Sequence, residues 1–218
     1  MIGDKINVRP EYYTTARAIL SHLAPELSTL TRRYVVAIGG ESGSGKSVLA
    51  TCLAECFATD YATAAQVLQL DDYFTYPPAT THTRRLDDIG NVGVGEVRMD
   101  LLQSHVDTFR AGESSLVKPC SVYAENRFIS ETIDLTHTQI LIIEGTYALL
   151  LGGIDITVYM ERNYTDTYEQ RRVRAREIPD SFTEKVLAIE HQLVVASASS
   201  ARIRVRKDYT VVWAEEAG

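Results

Sequence analysis

Cysteine is scarce in this sequence, with three residues in 218, and the number is odd. A sparse and odd set does not make a disulfide framework, which favours a reducing compartment. Cys52 and Cys56 stand four apart on a predicted helix, but without a nearby histidine or further cysteine this spacing indicates helix packing rather than a metal site. The histidines lack metal-ligand spacing too, so we expect surface positions for His22, His82, His105, His137 and His191.

Long apolar runs are also absent. No segment approaches the roughly 18 to 20 apolar residues that span a bilayer, and residues 1–10 lack the apolar core of a signal peptide. Basic residues are outnumbered, giving a net charge of −7, which argues against a general nucleic-acid or membrane-surface binder. We therefore expect a cytoplasmic protein with no nucleic-acid or membrane partner.

The sequence does contain an alternation of strand-like and helix-like segments. Hydrophobic residues make up 45% and charged residues 23%, as is typical of a globular domain. Apolar residues at helical spacing predict helices, short β-branched runs predict strands, and a proline-containing stretch over 76–88 predicts a loop. The predicted helices cover about 10–30, 46–58, 96–111, 164–177 and 181–200, and the predicted strands cover 33–39, 66–70, 139–145, 155–161 and 209–214.

This alternation predicts an α/β fold. Strands that are apolar on both faces indicate a parallel sheet flanked by helices on both faces, with ligands bound beyond the carboxyl ends of the strands. We expect an N-terminal helical extension over 1–32 and a main domain over 33–218. The extension either packs on the sheet or forms a dimer contact, which leaves a homo-oligomer open. Chemically active residues should follow the strands, and three groups do.

The first group is the stretch GGESGSGKS after the first predicted strand. It matches G-x-x-x-x-G-K-[ST], the P-loop, in which bare glycine backbone and a helix N-terminus form a nest for phosphates. Lys46 is expected to reach the β- and γ-phosphates of ATP, and the Ser47 hydroxyl to ligate Mg²⁺. The candidate nucleotide-binding residues are Gly40, Glu41, Ser42, Gly43, Ser44, Gly45, Lys46, Ser47 and Val48.

Two acidic groups follow other strands. Glu144 ends the buried run ILII, where a P-loop protein holds a second Mg²⁺ ligand, directly or through water; the alternative is an exposed strand-end carboxylate. Asp71 follows VLQL, where a carboxylate would orient an acceptor hydroxyl and take its proton; the alternative is a helix cap. If strand geometry continues, Asp71 and Asp72 point to different sides, so only one faces the crevice.

A fourth group is rich in arginine. Arg172 and Arg176 are four apart and share a helix face. Arginines on a closing lid would compensate the charge that spreads over the transferred phosphoryl group. The alternative is a solvated helix whose arginines pair with neighbouring glutamates. The whole cluster consists of Arg162, Arg171, Arg172, Arg174 and Arg176.

In chain order, GGESGSGKS, LQLDDYF, the VY near 122, ILIIEG and RRVRARE resemble the uridine kinase and phosphoribulokinase group of P-loop kinases. The resemblance implies a nucleoside-monophosphate-kinase-like core that uses ATP and Mg²⁺ to phosphorylate a small hydroxylated molecule. It implies that Asp71 is the catalytic carboxylate and that Arg172 and Arg176 act with Lys46 in catalysis. The lid then covers about 162–180.

The acceptor side departs from uridine kinases, which continue the family's pocket tyrosine as Tyr-Asp-Phe, whereas this chain reads VYAENRF. The region that would carry a ribose-binding aspartate, within a substrate region of about 73–130, reads GNVGVGEVRMDLL. Arginines here would suit an acceptor that already bears an anion. The candidate substrate residues are Asp71, Tyr73, Asp100, Tyr123 and Arg127.

Several functions stay open at this point. The resemblance favours a kinase acting on a nucleoside or a related ribosyl or sugar-like alcohol. The alternatives are a nucleoside monophosphate kinase, a kinase-like protein that binds ATP without turnover, and a non-catalytic nucleotide switch. The absence of an N-K-x-D motif weighs against a GTPase-like switch, and the absence of a G-x-S-x-G elbow excludes an α/β-hydrolase reading.

Overall fold

The structure, a computed structural model, describes residues 8–29, 31–168, 171 and 180–214. Its centre is a six-stranded sheet in the order β2-β5-β1-β6-β7-β8, in which the β7–β8 pair is antiparallel and the other pairs are parallel. A separate antiparallel hairpin joins β3 and β4. The strands are β1 (Tyr34–Gly40), β2 (Ala65–Gln69), β3 (Ser115–Val122), β4 (Arg127–Asp134), β5 (Ile140–Glu144), β6 (Ile156–Met160), β7 (Ile203–Val205) and β8 (Val211–Trp213).

Helices cover both faces of this sheet. The described helices are α1 (Pro10–Ser28), α2 (Lys46–Tyr61), α3 (Pro78–Asp87), α4 (Met99–Arg110) and α5 (Ser181–Ala198). Short 3₁₀ turns lie at Leu70–Tyr73, Ile89–Asn91, Val94–Glu96, Tyr123–Glu125 and Ala148–Leu150. In the described part of the chain, no helix is both long enough and apolar enough to cross a membrane.

The alternation of side chains along β1 divides the interior into two cores. Val36 and Ile38 face one core, which α1 and α2 complete. Val35 and Ala37 face the other core, which contains buried residues of α4 and α5. Period-two alternation sends neighbouring side chains to opposite faces of a strand, so a strand that reads as continuously apolar is buried on both sides. The predicted α/β fold, with a mainly parallel sheet between helical layers, is confirmed.

The N-terminal helix belongs to the first of these cores. Six of its residues are buried, and the five apolar ones recur at the spacing of three and four that marks one helix face. Pro10 begins the helix, in agreement with the sequence. The sequence left open whether this helix packs on the sheet or forms a dimer contact. The structure shows it packed against α2 and the sheet. The buried residues that pack there are Tyr12, Ala16, Ile19, Leu20 and Leu23.

Three stretches differ from the sequence-based expectations. The predicted loop over 76–88 is wrong, because Pro78 starts α3 and the Asn126 side chain caps that helix by accepting from the Ala79 N–H at 2.8 Å. The β3–β4 hairpin was not predicted, since the sequence SLVKPCSV places Lys118 and Pro119 inside the strand and hides its alternation. Most of the predicted helix over 164–177 lies outside the described residues; Tyr168 and Arg171 are helical.

Candidate active site

The phosphate loop connects β1 to α2, and its conformation requires glycine at two positions. Gly43 and Gly45 have φ values of +77° and +101°, which residues with a side chain rarely adopt. A Cβ on Gly43 would lie 2.9 Å from the Cγ of Arg171, and one on Gly45 would collide with the Tyr12 hydroxyl. Backbone conformation and available space therefore both demand the bare backbone that the motif supplies.

Polar groups inside the loop fit a phosphate. Lys46 is buried, and its Nζ donates to the carbonyl oxygen of Glu41 at 2.8 Å. The Ser44 Oγ is buried and has no hydrogen-bond partner among the described residues. Ser47 lies in the first turn of α2, where the helix leaves its N–H groups unsatisfied. A cation, an unpartnered hydroxyl and a helix N-terminus are the donors that a phosphate requires.

Glu41 ties the phosphate loop to two distant elements. Its side chain is 3% exposed, and Oε1 lies 2.6 Å from the Nδ1 of His191 on α5. Its Oε2 accepts from the backbone N–H of Tyr164, in the segment after β6, at 2.7 Å. The nucleotide-binding role predicted for Glu41 remains a prediction, and its side chain acts here as a clamp on the loop.

The register of the parallel strands brings the acidic residues to the same edge as the phosphate loop. Ile38 on β1 pairs with Glu144 on β5, and Glu144 pairs in turn with Gln69 on β2. Adjacent strands lie about 4.8 Å apart, so Glu144 is one strand from the start of the phosphate loop. Asp71 follows two residues after Gln69 at the same edge. Glu144 is buried, so the alternative of an exposed strand-end carboxylate is wrong.

The two consecutive aspartates have opposite environments. Asp72 is 1% exposed; its Oδ2 accepts from Lys118 Nζ at 2.7 Å and its Oδ1 from the Ser121 N–H at 2.8 Å. Pairing with Asp72 raises the pKa of Lys118 against the opposing effect of burial. Asp71 is partly exposed. The burial of Asp72 leaves Asp71 as the candidate for the crevice, and its orientation toward the crevice stays a prediction.

Tyr73 requires a correction. Its ring has no exposed surface, and its hydroxyl lies 2.8 Å from the Nδ1 of His105 on α4. Burial raises the pKa of the Tyr73 phenol, and burial together with the charge of Lys118 lowers the pKa of His105. The acceptor contact expected for Tyr73 is therefore not supported, because the side chain packs in the core. The surface position expected for His105 is wrong for the same reason.

The remaining candidate acceptor residues occupy two places. Tyr123 is 38% exposed, in the turn that follows β3, two residues after the Ser121 amide that binds Asp72. This connection holds the Tyr123 turn close to the Asp71 turn. Arg127 is exposed and ion-paired with Glu125 at 2.5 Å, and Asp100 is exposed in the first turn of α4. Substrate roles for Tyr123, Arg127 and Asp100 stay predictions.

The arginine cluster is described only in part. Arg172, Arg174 and Arg176 lie outside the described residues, so the catalytic roles of Arg172 and Arg176 stay predictions. Arg171 packs against Gly43, donates to Glu184 at 3.1 Å, and has a buried Nε with no hydrogen-bond partner in the described part of the chain. Sequence reasoning placed Arg171 in the cluster without choosing it for the site.

Sequence reasoning missed three residues that shape the site. Lys118 anchors Asp72, His191 binds Glu41, and Thr167 donates from Oγ1 to the Ser42 carbonyl at 3.2 Å. Each contact joins residues at least 46 positions apart, and no local pattern marks them. One signal was present in the sequence: a glutamate inside an anion-binding loop requires a partner, because an unpaired buried carboxylate is costly.

A parallel sheet with a phosphate loop after its central strand, and with carboxylates after two neighbouring strands, defines a P-loop nucleotide-binding protein built for phosphoryl transfer. The family model of the phosphoribulokinase / uridine kinase family matches residues 35–174. The chain belongs to this family. The family implies phosphoryl transfer to a hydroxyl acceptor, with ATP as the phosphate donor and usually with Mg²⁺.

Two curated relatives show what the chain resembles in sequence. It is 27% identical over 193 residues to the bifunctional alpha-galactosidase/sucrose kinase AgaSK of Mediterraneibacter gnavus, a match that covers 82% of this chain and 20% of that protein. It is 27% identical over 159 residues to the uridine kinase of Shewanella denitrificans, covering 71% of this chain and 74% of that enzyme. The chain thus spans a fifth of the first relative and about three quarters of the second.

Solved structures show the same fold. D-glycerate 3-kinase from Cryptococcus neoformans superposes with a TM-score of 0.62 at 13% identity, covering 94% of this chain and 98% of that one. Phosphoribulokinase from Rhodobacter spheroides gives a TM-score of 0.62 at 11% identity, covering 80% and 70%. At these identities the likeness concerns the fold alone.

Proposed function

We propose that the protein transfers the γ-phosphoryl group of ATP to a hydroxyl of a small sugar or nucleoside. The single observation that carries this proposal is the shared edge of β1, β5 and β2, which presents the phosphate loop, Glu144 and Asp71 side by side. The match to the sucrose kinase AgaSK over 82% of the chain supports a sugar acceptor, and the match to uridine kinases supports a nucleoside.

Each residue at this edge has a role in the proposed reaction. The Asp71 carboxylate accepts the proton of the acceptor hydroxyl while that oxygen attacks the γ-phosphorus and the bond to the β–γ bridging oxygen breaks. Lys46 holds the charge of the β- and γ-phosphates. Ser47 and Glu144 are oxygen ligands placed to hold Mg²⁺, directly or through water, and this ion when bound screens phosphate charge.

The test measures ADP formation with ATP and Mg²⁺ over a panel of sucrose, fructose, uridine, cytidine, D-glycerate and uridine monophosphate. We expect turnover with a sugar or a nucleoside. Asp71→Asn should reduce that turnover by about 10² to 10⁴-fold, the usual contribution of a positioned base, while ATP affinity stays within about twofold of wild type, since Asp71 stands on the acceptor side.

Asp107→Asn is the matched control, because Asp107 is an exposed carboxylate on α4 and its loss should leave turnover unchanged. Equal activity of Asp71→Asn and wild type would remove Asp71 as the base. Turnover confined to uridine monophosphate would replace the proposed acceptor with a nucleoside monophosphate.

A further inference from the structure

Four residues from three separate elements meet beside the phosphate loop. We call them the Tyr209 cluster: Arg9 precedes α1, Tyr12 lies in its first turn, Arg162 follows β6, and Tyr209 lies in the β7–β8 turn. The Arg9 and Arg162 guanidinium groups both donate to the Tyr209 hydroxyl. They also lie over its ring, at 5.3 and 5.4 Å from the ring centroid. Tyr12 completes the cluster with an edge-on ring contact to Tyr209.

This cluster is fixed against the loop by α1. The buried Tyr12 hydroxyl contacts Gly45, the residue that precedes α2. Thr15 Oγ1 donates to the Tyr209 carbonyl at 2.9 Å, which holds Tyr209 at a φ of +69°. Such a backbone conformation is uncommon for a residue with a side chain and persists where its surroundings impose it. The position of Tyr209 is thus set by the N-terminal helix.

In the part of the chain that the structure describes, the two arginines of the cluster, Arg9 and Arg162, form no ion pair with a carboxylate. The Asp166 carboxylate pairs with Lys207 at 2.8 Å. The contact between Arg162 and Asp166 is a hydrogen bond of 3.4 Å to the Asp166 carbonyl oxygen. Two guanidinium groups that converge on one neutral hydroxyl repel each other, so a planar aromatic ligand on which they can stack, such as a nucleobase, would be favoured there.

The direction of phosphoryl transfer places such a ligand at the cluster. In-line transfer puts the attacking and leaving oxygens on opposite sides of the γ-phosphorus. The proposed base, Asp71, follows β2, on one side of β1 in the sheet order. The leaving nucleoside diphosphate must therefore extend to the other side of β1, over β6, β7 and β8, where Arg162 and Tyr209 lie.

We propose that α1 forms one wall of the nucleotide site, with Arg9 and Tyr12 contributing to the binding of the nucleoside end of the donor. When the nucleotide binds, the guanidinium groups of Arg9 and Arg162 give up their hydrogen bonds to the Tyr209 hydroxyl and contact the nucleotide instead. This inference rests on the proposed function, since it needs a donor nucleotide on the phosphate loop. Arg9, Tyr12 and Tyr209 all lie outside residues 35–174 that the family model matches.

The experiment compares the dissociation constants of ADP and of inorganic tripolyphosphate, by titration calorimetry with wild type, Arg9→Gln and Arg162→Gln. Loss of a guanidinium contact with the nucleoside should weaken ADP binding about tenfold in either variant. Tripolyphosphate, which has no nucleoside, should weaken by no more than about threefold, because attraction across solvent is screened. The control is Arg17→Gln, an exposed arginine of α1 that pairs with Asp60, and both ligands should bind it as they bind wild type.

Unchanged ADP binding in Arg9→Gln would overturn the inference even if Arg162→Gln weakens binding, because Arg9 is the arginine next to α1. Equal weakening of ADP and tripolyphosphate would also overturn it, because the arginines would then act as a general positive charge. Wild type that binds neither ligand would overturn the proposed function itself, a result distinct from the other two. Thermal unfolding without ligand identifies any variant that fails to fold, and Arg9→Met then replaces Arg9→Gln in the comparison.

Discussion

At the scale of single residues, identical side chains acquire different tasks from their surroundings. Asp71 and Asp72 are neighbours in sequence, yet only Asp72 is buried and bound to Lys118. The ion pair between Asp72 and Lys118 joins the turn after β2 to the β3–β4 hairpin. It therefore fixes the position of Asp71, the proposed base, through the adjacent residue. Lys118 also lies 3.1 Å from Glu131, whose side chain is half exposed.

Replacement of Lys118 tests this anchoring. Lys118→Met should lower the free energy of unfolding by about 3 to 5 kcal/mol, because it leaves the Asp72 carboxylate buried beside an apolar group. The double variant Asp72→Asn, Lys118→Met should recover part of that loss, since no buried charge is left unpaired. Urea unfolding of Lys118→Met, Asp72→Asn and the double variant measures the coupling. A double variant no more stable than Lys118→Met would show that burial of the Asp72 charge is not the cause.

His105 predicts a dependence of stability on pH. Burial and the nearby Lys118 and Arg98 lower its pKa below the ordinary value of about 6.5. The unfolded chain therefore binds more protons below that pH, so this contribution to stability is complete above about pH 6.5 and is lost as the pH falls toward the folded-state pKa. Wild type should lose more stability between pH 7.5 and 5.5 than His105→Gln does.

The matching control for this comparison is His137→Gln, which removes an exposed histidine and should keep the wild-type slope. Urea unfolding at the two pH values gives the difference directly. A His105→Gln variant as sensitive to acid as wild type would assign the pH dependence to other groups.

At the scale of secondary structure, a remote contact caps a helix that the local sequence did not predict. The stretch over 76–88 contains two prolines and reads as a loop, yet it contains α3, whose Ala79 N–H donates to the Asn126 side chain from the hairpin turn. Proline is favourable at the first helical position, so Pro78 begins this helix without loss. The same Asn126 adopts a φ of +47° to turn the chain between β3 and β4.

Two substitutions separate the cap from the turn. Asn126→Gly keeps the positive φ available and removes only the side-chain cap, which should cost about 1 kcal/mol of stability. Asn126→Ala should cost about 1 to 2 kcal/mol more, because alanine disfavours the left-handed conformation. Thermal denaturation of both variants tests the order, and equal stability of Asn126→Gly and wild type would mean that the hydrogen bond does not support α3.

At the scale of the whole molecule, α1 joins the fold and the site into one unit. Its buried face completes the core on one side of the sheet, while its first turn contacts the phosphate loop and the Tyr209 cluster. A helix that the sequence presents as an appendage therefore contributes to core packing. Because one helix serves both purposes, its loss of packing should affect stability and nucleotide binding together.

Leu20→Ala tests the integration of α1. Leu20 is 1% exposed, so its truncation should cost about 2 to 5 kcal/mol, and unfolding should stay a single transition. Leu27→Ala is the matched control, since Leu27 is only partly buried at the edge of the same core and should cost less. A separate early transition in Leu20→Ala would contradict a cooperative unit that includes the helix.

The sequence by itself determined the parts that local patterns encode. Glycine spacing identified the phosphate loop, β-branched runs identified the five strands that it predicted, and the position of Asp71 and Glu144 after two of them predicted the active edge. These signals lie within one strand, one turn or one helix, where the identity of neighbouring residues sets the backbone conformation.

The tertiary structure alone decided which aspartate is buried, that Tyr73 is a core residue, that α3 is a helix, and that α1 touches the phosphate loop. It also placed His191 against Glu41, residues 150 positions apart. The physical reason is that burial, ion pairing and capping depend on groups that meet only after the chain has folded. A partner that distant leaves no trace in the periodicity of either segment, so its effect on a carboxylate or a helix end is set by the packed interior and not by local sequence.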